Sequence, residues 1–332
     1  MATVQTDREK IRLRPRRLGH GNIFVSDLER SMRFYREVCG IQEVFREPGI
    51  MAGFLSNGNS HHDIGLMQAA NTPRVGRDGH VQIPTGRGHS AGLNHLGFEM
   101  ANEAELVAAH ERAKASGFKF HRTTDHGISH SLYVFDPEGT LLEFYADAID
   151  DWRGFFADKE NELISGPWTP DPAKANERPM YTTSFVPGVV SGAPLKPRRV
   201  SRATLIADDL AKEIAFYRDV AGLDCVAGGV RQGYAVFAGA VGEHTLALFP
   251  TAEGKPAGLH HLGFELASDK DLAASVGALK RAGIPLVAEI DAPNKKSLVI
   301  ADPDGLELEF YVPRAAPLPA PAAGDPKRLY LI

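Results

Sequence analysis

Cysteine is scarce in this chain. The 332 residues hold only Cys39 and Cys225, and neither lies in a C-x-x-C pair, which leaves no support for a disulfide framework or a dithiol redox centre. Reduced thiols and a cytoplasmic location are expected, with both cysteines serving as small core residues. Basic charge is not in excess either. The formal net charge is −5 and acids and bases are interspersed, so there is no footprint for nucleic acid. Long apolar runs are also missing. Nothing approaches the roughly 18 residues of a membrane span, and the opening MATVQTDREKIRLRPRR offers no apolar segment for a signal peptide. No membrane partner is expected. The length is nonetheless enough for two domains with sizeable cores.

What the chain does have is internal repetition. RLGHGNIFVSDLERSMRFYREVCG (17–40) aligns with RVSRATLIADDLAKEIAFYRDVAG (199–222) at an offset of 182. GLNHLGFEM (92–100) aligns with GLHHLGFEL (258–266), and DPEGTLLEFY (136–145) with DPDGLELEFY (302–311), both at an offset of 166. The offset falls because the first copy carries extra residues between Leu66 and His95. Each copy divides again. LGHGNIFV has strand character. DLERSMRFYREVCG follows with Leu28, Met32, Tyr35, Val38 and Cys39 at helical spacing, Asp27 as N-cap and Gly40 at the C′ position. NHLGFEM, EAELVAAHERAKASG and SLYVFDPEGTLLEFYA repeat the order as strand, helix and hairpin, with Asp136-Pro137-Glu138-Gly139 as the turn.

The fold class expected is therefore α+β, a βαβββ unit used four times. The domains expected are 14–147, which carries the candidate site, and 198–313, a degenerate copy. A linker at 148–197 joins them, and 314–332 forms a Pro/Ala-rich tail, extended or mobile. Trp152, Phe155, Phe156 and Trp168 imply that part of the linker packs on a domain.

Three residues in recurring contexts carry the chemistry: His20, His95 and Glu143. A lone strand histidine is usually a satisfied core or surface residue. Glu143 is harder to dismiss, since a carboxylate alternating with Leu142 and Phe144 needs a partner or a metal. Two histidines and one carboxylate leave half an octahedral ion open, the arrangement that suits a non-haem Fe(II) oxygenase. The second copy keeps His261 and Glu309 but has Arg202 in place of His20. An arginine cannot ligate a cation, so no metal is expected there, and an Arg202–Glu309 ion pair is the natural substitute.

The ordered set LGH, D-x5-FY-x3-CG, SHHDIGL, GLNHLGFE, HGISHSLY and DPEG-x3-EFY resembles the vicinal oxygen chelate superfamily over roughly residues 14–313. The first copy is similar to type I extradiol ring-cleavage dioxygenases. The resemblance implies two tandem glyoxalase/dioxygenase-like domains, each a pair of modules forming a cupped sheet. It places His20, His95 and Glu143 on the metal-ligand positions, with Fe(II) as cofactor and Mn(II) as the variant ion. It places His62 on the acid/base position and Tyr133 on the active-site tyrosine, with His126 near a position that hydrogen-bonds substrate or oxygen. A catecholic substrate, O2 and a homo-oligomeric assembly are implied.

His62 suits the role because catechol cleavage must move a proton near neutral pH, although His244 fills the same place in the second copy. Tyr133 is replaced there by Val299. His130 could lie outside the pocket, and His61, Asp63, His80 and His89 are expected to face solvent. A fourth ligand, as in glyoxalase I and related epimerases, would come from DIGLMQ, where Gly65 and Leu66 cannot bind a metal. The extra segment 69–91 is either a lid or substrate-selecting loop or a surface excursion. The competing functions are another metal enzyme of the superfamily, acting on a thiohemiacetal, hydroquinone or keto acid, and a small-molecule-binding protein.

Overall fold

The computed structural model describes residues 11–76, 79, 81–84, 86–158, 166–183, 185–188, 190–318 and 330–331. His80 and parts of the 69–91 segment, the linker and the tail lie outside them. Among the described residues no helix is long and apolar enough to cross a membrane.

The first sheet is built from two modules. One runs β1 (Arg17–Val25), α1 (Leu28–Glu37), β2 (Gln42–Glu47), β3 (Ala52–Ser56) and β4 (Ile64–Gln68). A small hairpin, β5 (Arg74–Val75) and β6 (Val81–Ile83), precedes the other: β7 (Gly92–Glu99), α2 (Glu103–Ala115), β8 (Arg122–Asp125), β9 (Ser129–Phe135) and β10 (Leu141–Asp147). Next come α3 (Trp152–Asp158) and β11 (Gly166–Pro167). The second sheet repeats the plan with β12 (Arg199–Ala207), α4 (Leu210–Asp219), β13 (Asp224–Gly229), β14 (Tyr234–Ala238), β15 (His244–Pro250), β16 (Gly258–Glu265), α5 (Asp269–Arg281), β17 (Ala288–Ala292), β18 (Lys295–Ala301) and β19 (Glu307–Pro313). Strand order is β11-β8-β9-β10-β7-β1-β4-β3-β2 in the first sheet and β13-β14-β15-β12-β16-β19-β18-β17 in the second. These are the four βαβββ units expected, paired into two tandem domains.

Local chemistry explains the helices. Asp27 and Asp209 accept from the backbone N–H three residues on, as do Asn102 and Ser268, so each long helix begins on a side-chain cap. Gly40 and Gly222 leave α1 and α4 at φ of +73° and +76°. A side chain at Gly40 would also strike the Leu195 carbonyl, and one at Gly222 the backbone of Arg12 and Arg14, so glycine is needed at both for conformation and for space.

The domains are docked by reciprocal contacts. The Asp302–Asp304 turn of the second domain reaches α1 of the first: Tyr35 Oη donates to Asp302 Oδ2 (3.1 Å) and Ser26 N to Asp304 Oδ2 (2.9 Å). The Asp136–Glu138 turn of the first domain returns the contact. Tyr217 Oη donates to Asp136 Oδ2 (3.1 Å), and Asp208 N and Asp209 N donate to Glu138 (3.0 and 2.6 Å). Leu13 N donates to Val220 O (2.9 Å) and Leu195 N to Val38 O (3.2 Å). One apolar cluster runs through both domains, from Leu18, Ile23 and Phe98 to Leu262 and Phe264.

Several expectations need correction. Cys39 is buried but Cys225 is exposed, because it lies on the edge strand β13 beside a break in register. His61 and Asp63 are buried, not solvent-facing; Asp63 Oδ1 accepts from Val200 N of the second domain (3.0 Å). His89 is exposed and meets Asn71 (2.9 Å). At the end of the tail, Tyr330 and Leu331 are buried. The Tyr330 ring packs on Phe249 (5.1 Å) and His260 (4.8 Å) inside the second cup.

One interface group breaks the pseudo-symmetry. Glu213 on α4 is buried, whereas its counterpart on α1 is Ser31. Glu213 Oε1 accepts from Glu138 N (3.1 Å), and Oε2 has no hydrogen-bond partner. Burial, then Asp136 and Glu138, push this carboxyl up to about 8. The folded state thus keeps a proton that the unfolded chain, near the model-peptide value of about 4.3, releases. Stability attached to Glu213 should fall as pH rises from that unfolded value through about 8. Glu213→Gln should match the wild type in thermal unfolding at pH 5 and exceed it at pH 8.5. Parallel pH slopes for the two proteins would refute this.

Candidate metal centre and aromatic pocket

Strand alternation and register assemble the site. His20 pairs with Gly97, Gly97 with Glu143, Glu143 with Tyr133, and Tyr133 with Arg122. These five residues form one row across β1, β7, β10, β9 and β8, all facing the concave side. His95 lies two residues before Gly97 and shares that face. Leu96, Phe98, Leu142 and Phe144, at the alternate positions, face the common core.

The row brings His20, His95 and Glu143 together. Glu143 Oε2 lies 2.9 Å from His20 Nε2 and 2.9 Å from His95 Nε2, and the two nitrogens are 3.3 Å apart. Ligands about 2.1 Å from an octahedral ion stand about 3.0 Å apart when adjacent, so the donor set fits one face of a single ion. Protonation points the same way. Burial lowers the pKa of His95 and takes that of His20 down to about 4, Glu143 opposing in both cases. Burial would push Glu143 up, but the facing His20 and His95 hold it well below the usual range. Two neutral imidazoles therefore face a carboxylate. His95 Nδ1 lies 2.7 Å from Asn94 Oδ1, which assigns its proton to Nδ1 and leaves the Nε2 lone pair aimed at Glu143. An acceptor–acceptor contact of 2.9 Å calls for a cation between the pair.

The second cup meets the same burial problem differently. Its row reads Arg202, Gly263, Glu309, Val299 and Ala288. Lys295 Nζ, not Arg202, pairs with Glu309 (2.7 Å, both fully buried). Arg202 instead stacks over the Tyr311 ring at 3.8 Å. The sequence alignment missed Lys295, which stands where the first domain has Ser129. Ser131 and Ser297 play matching parts, each donating to the row carboxylate at 2.6 Å.

Around the first triad, His62 is buried and its ring lies 4.1 Å from that of His20. Burial holds His62 well below its ordinary pKa, and its Nε2 has no hydrogen-bond partner. His126 Nε2 is 3.1 Å from Tyr133 Oη and 3.8 Å from Glu143 Oε1. Burial takes His126 down to about 4, and burial and then Glu143 push the Tyr133 hydroxyl well up, opposed by Arg122. His130 lies apart, stacked on Trp168 at 4.6 Å and paired with Glu103 (2.7 Å). His61 is a member that sequence reasoning left out. Its ring is 4.7 Å from His62, and Nδ1 lies 3.2 Å from Asp147. The segment 57–63 is not a strand, so the alternation that would have sent adjacent His61 and His62 to opposite faces does not apply.

A cavity of about 70 Å³ opens beside Glu143, His95, His62, Tyr133 and His126, walled by Phe45, Phe54, Ile50, Ile128 and Phe156. Gln82 and Ile83 from the 69–91 segment and Phe156 from α3 contribute to the wall. Gly65, opposite Asn22 in the β1–β4 register, has the Asn22 amide in the space a Cβ would need, so that position offers no fourth ligand.

Gly97 is a further requirement of the site, because an added Cβ would fall inside contact distance of the His20 ring. Gly97→Ala should fold but bind divalent metal at least about tenfold more weakly. Metal titration alongside circular dichroism checks this. Unchanged affinity would show that the His20 position does not depend on Gly97.

The family model described as Glyoxalase/Bleomycin resistance protein/Dioxygenase superfamily matches residues 17–144 and 199–310. Among curated proteins, the catechol-2,3-dioxygenase of Bacillus subtilis (strain 168) is 30% identical over 128 residues, covering 38% of this chain and 40% of that one. The biphenyl-2,3-diol 1,2-dioxygenase 3 of Rhodococcus globerulus is 25% identical over 131 residues, covering 40% and 63%. The chain thus spans less than two thirds of the length of these relatives. Among solved structures, the Mn(II)-bound glyoxalase from Novosphingobium aromaticivorans aligns with a TM-score of 0.62 at 15% identity, over 90% of this chain and 82% of that one. The 2,3-dioxygenase LapB from Pseudomonas sp. KL28 aligns at 0.62 and 17%, over 92% and 95%. These likenesses show the shared fold.

Proposed function

The chain belongs to the Glyoxalase/Bleomycin resistance protein/Dioxygenase superfamily, and from that premise we propose that it is an Fe(II)-dependent extradiol dioxygenase that inserts O2 into the ring of a catecholic substrate. The observation that carries the reading is the His20–His95–Glu143 set, whose three donor atoms lie 2.9, 2.9 and 3.3 Å apart. These residues would hold the ion; Mn(II) suits the same donors. When bound, Fe(II) supplies neighbouring open positions for the two vicinal oxygens of a catechol and for O2.

The chain's own residues supply the remainder. His62 Nε2 has no hydrogen-bond partner and its ring lies 4.1 Å from that of His20, so it stands where a catechol hydroxyl could pass it a proton. The Tyr133 hydroxyl and His126 Nε2, 3.1 Å apart, form a pair beside Glu143 that can donate to a reacting oxygen. Phe45, Phe54, Phe156, Ile50 and Ile128 hold the ring and exclude water. A cavity of about 70 Å³ is smaller than the roughly 150 Å³ that admits benzene in an engineered core, so substrate entry displaces part of this wall. The isomerase alternative needs a fourth protein ligand, and Gly65 cannot supply one.

Anaerobic metal loading followed by O2 uptake with catechols tests the reading. About one Fe(II) per chain and catechol-dependent uptake with a yellow ring-opened product are expected. Iron without uptake on any catechol, or metal-dependent isomerisation without O2, would overturn it. His20→Ala should lose metal and activity together; retained metal with normal turnover would remove His20 from the ligand set. His62→Ala should keep the metal and lose about 10²- to 10⁴-fold in kcat/KM, a loss absent if His62 only packs.

A further inference from the structure

Arg122 ends the row that begins at His20, and among the described residues no carboxylate pairs with it. The guanidinium lies over the Tyr133 ring at 4.3 Å, lines the same cavity as Glu143 and His126, and has a buried Nε with no hydrogen-bond partner. A second cation comes from the 69–91 segment. Arg87 donates Nη2 to Asn94 O (2.7 Å) and lies 5.5 Å from the Phe135 ring. Neither arginine makes an ion pair among the described residues. Their mutual repulsion is felt by Arg87, whose pKa is lowered by burial and then by Arg122.

A partly buried guanidinium such as Arg122, with no ion pair among the described residues, is costly to hold. Arg17, buried at the start of β1, is by contrast matched to Glu99 (3.0 Å). Glu143 is not free to serve Arg122, because Oε2 faces the two histidines and Oε1 accepts from Ser131. The second domain is an internal control. Arg122 corresponds there to Ala288, at the same place in the row, and the segment that carries Arg87 has no counterpart. Arg122 thus lines only the cup with the His–His–Glu set, while Arg87 lines the neighbouring cavity that also holds Asp136 and Glu138. In the cup of Arg122 the wall includes Phe45, Phe54, Ile128 and Phe156. A ligand matching all of this has a flat apolar ring and a fixed negative charge, which a guanidinium reads best as a carboxylate.

We infer that the substrate is a catechol bearing an anionic substituent, a carboxylate on the ring or on a short side chain, held by Arg122 with Arg87 reinforcing the field. The inference rests on the ring-cleavage reading above. Turnover by the Fe(II)-loaded full chain should be compared for catechol, dihydroxybenzoates, 3,4-dihydroxyphenylacetate and the methyl esters of these acids. At least one acid should exceed its ester by about tenfold or more in kcat/KM, chiefly through KM. Arg122→Gln should lower the acid-to-ester ratio by about 10- to 100-fold, Arg122→Lys should restore part of it, and Arg87→Gln should have a smaller effect of the same sign. If esters and acids fall in parallel in Arg122→Gln, with the loss in kcat, Arg122 serves only to position Tyr133 and the inference is overturned. Turnover of neutral catechols with no preference for any acid overturns it too while leaving ring cleavage standing. No turnover of any catechol by the iron-loaded protein overturns ring cleavage itself.

Discussion

A carboxylate buried on a strand has to be answered by positive charge, and much of this molecule is arranged around two such carboxylates. Glu143 and Glu309 occupy matching places, each accepting a 2.6 Å hydrogen bond from a serine on the neighbouring strand. In the second cup Lys295 supplies the charge directly. In the first, two histidines face the carboxylate and their lone pairs leave the balance to a cation. Gly97 gives His20 its space, and Ser129 stands where Lys295 would otherwise intrude. One sheet plan therefore yields a closed ion pair in one copy and an open coordination face in the other.

The wider cups follow the same division. The first is walled by Phe45, Phe54 and Phe156 around a narrow cavity. The second receives the chain's own Tyr330 against Phe249 and His260. Along the row, Tyr133 and Arg122 of the first copy are replaced by Val299 and Ala288 in the second. Polar and apolar side chains are thus exchanged at the same register positions, on backbones that pair in the same way.

Much of this was legible in the sequence. The repeats gave the four modules because each βαβββ unit carries its own period, cap and turn. His20, His95 and Glu143 stood out through repeat context and donor chemistry, and the family resemblance implied that they meet. What escaped was contact between residues far apart in the chain. Arg122 sits on a short strand with little pattern, and its meaning comes from the row it ends. Lys295 aligns with a serine, so no ligand-type substitution announced it. His61 was left to solvent because nothing in the local sequence showed that the non-strand segment 57–63 folds into the site. Burial of Tyr330 could not be read from a Pro/Ala-rich composition, because docking depends on a cup whose vacancy the local sequence does not encode.

The exchanged turns have a consequence for how the chain is made. The half that carries His20, His95 and Glu143 is translated first. Yet the partner of Tyr35 and the cap over Ser26 are Asp302 and Asp304, which are translated nearly last. The contacts that hold the opening helix of the first half therefore join nearly the two ends of the folded chain, and they cannot form until the second half has been made.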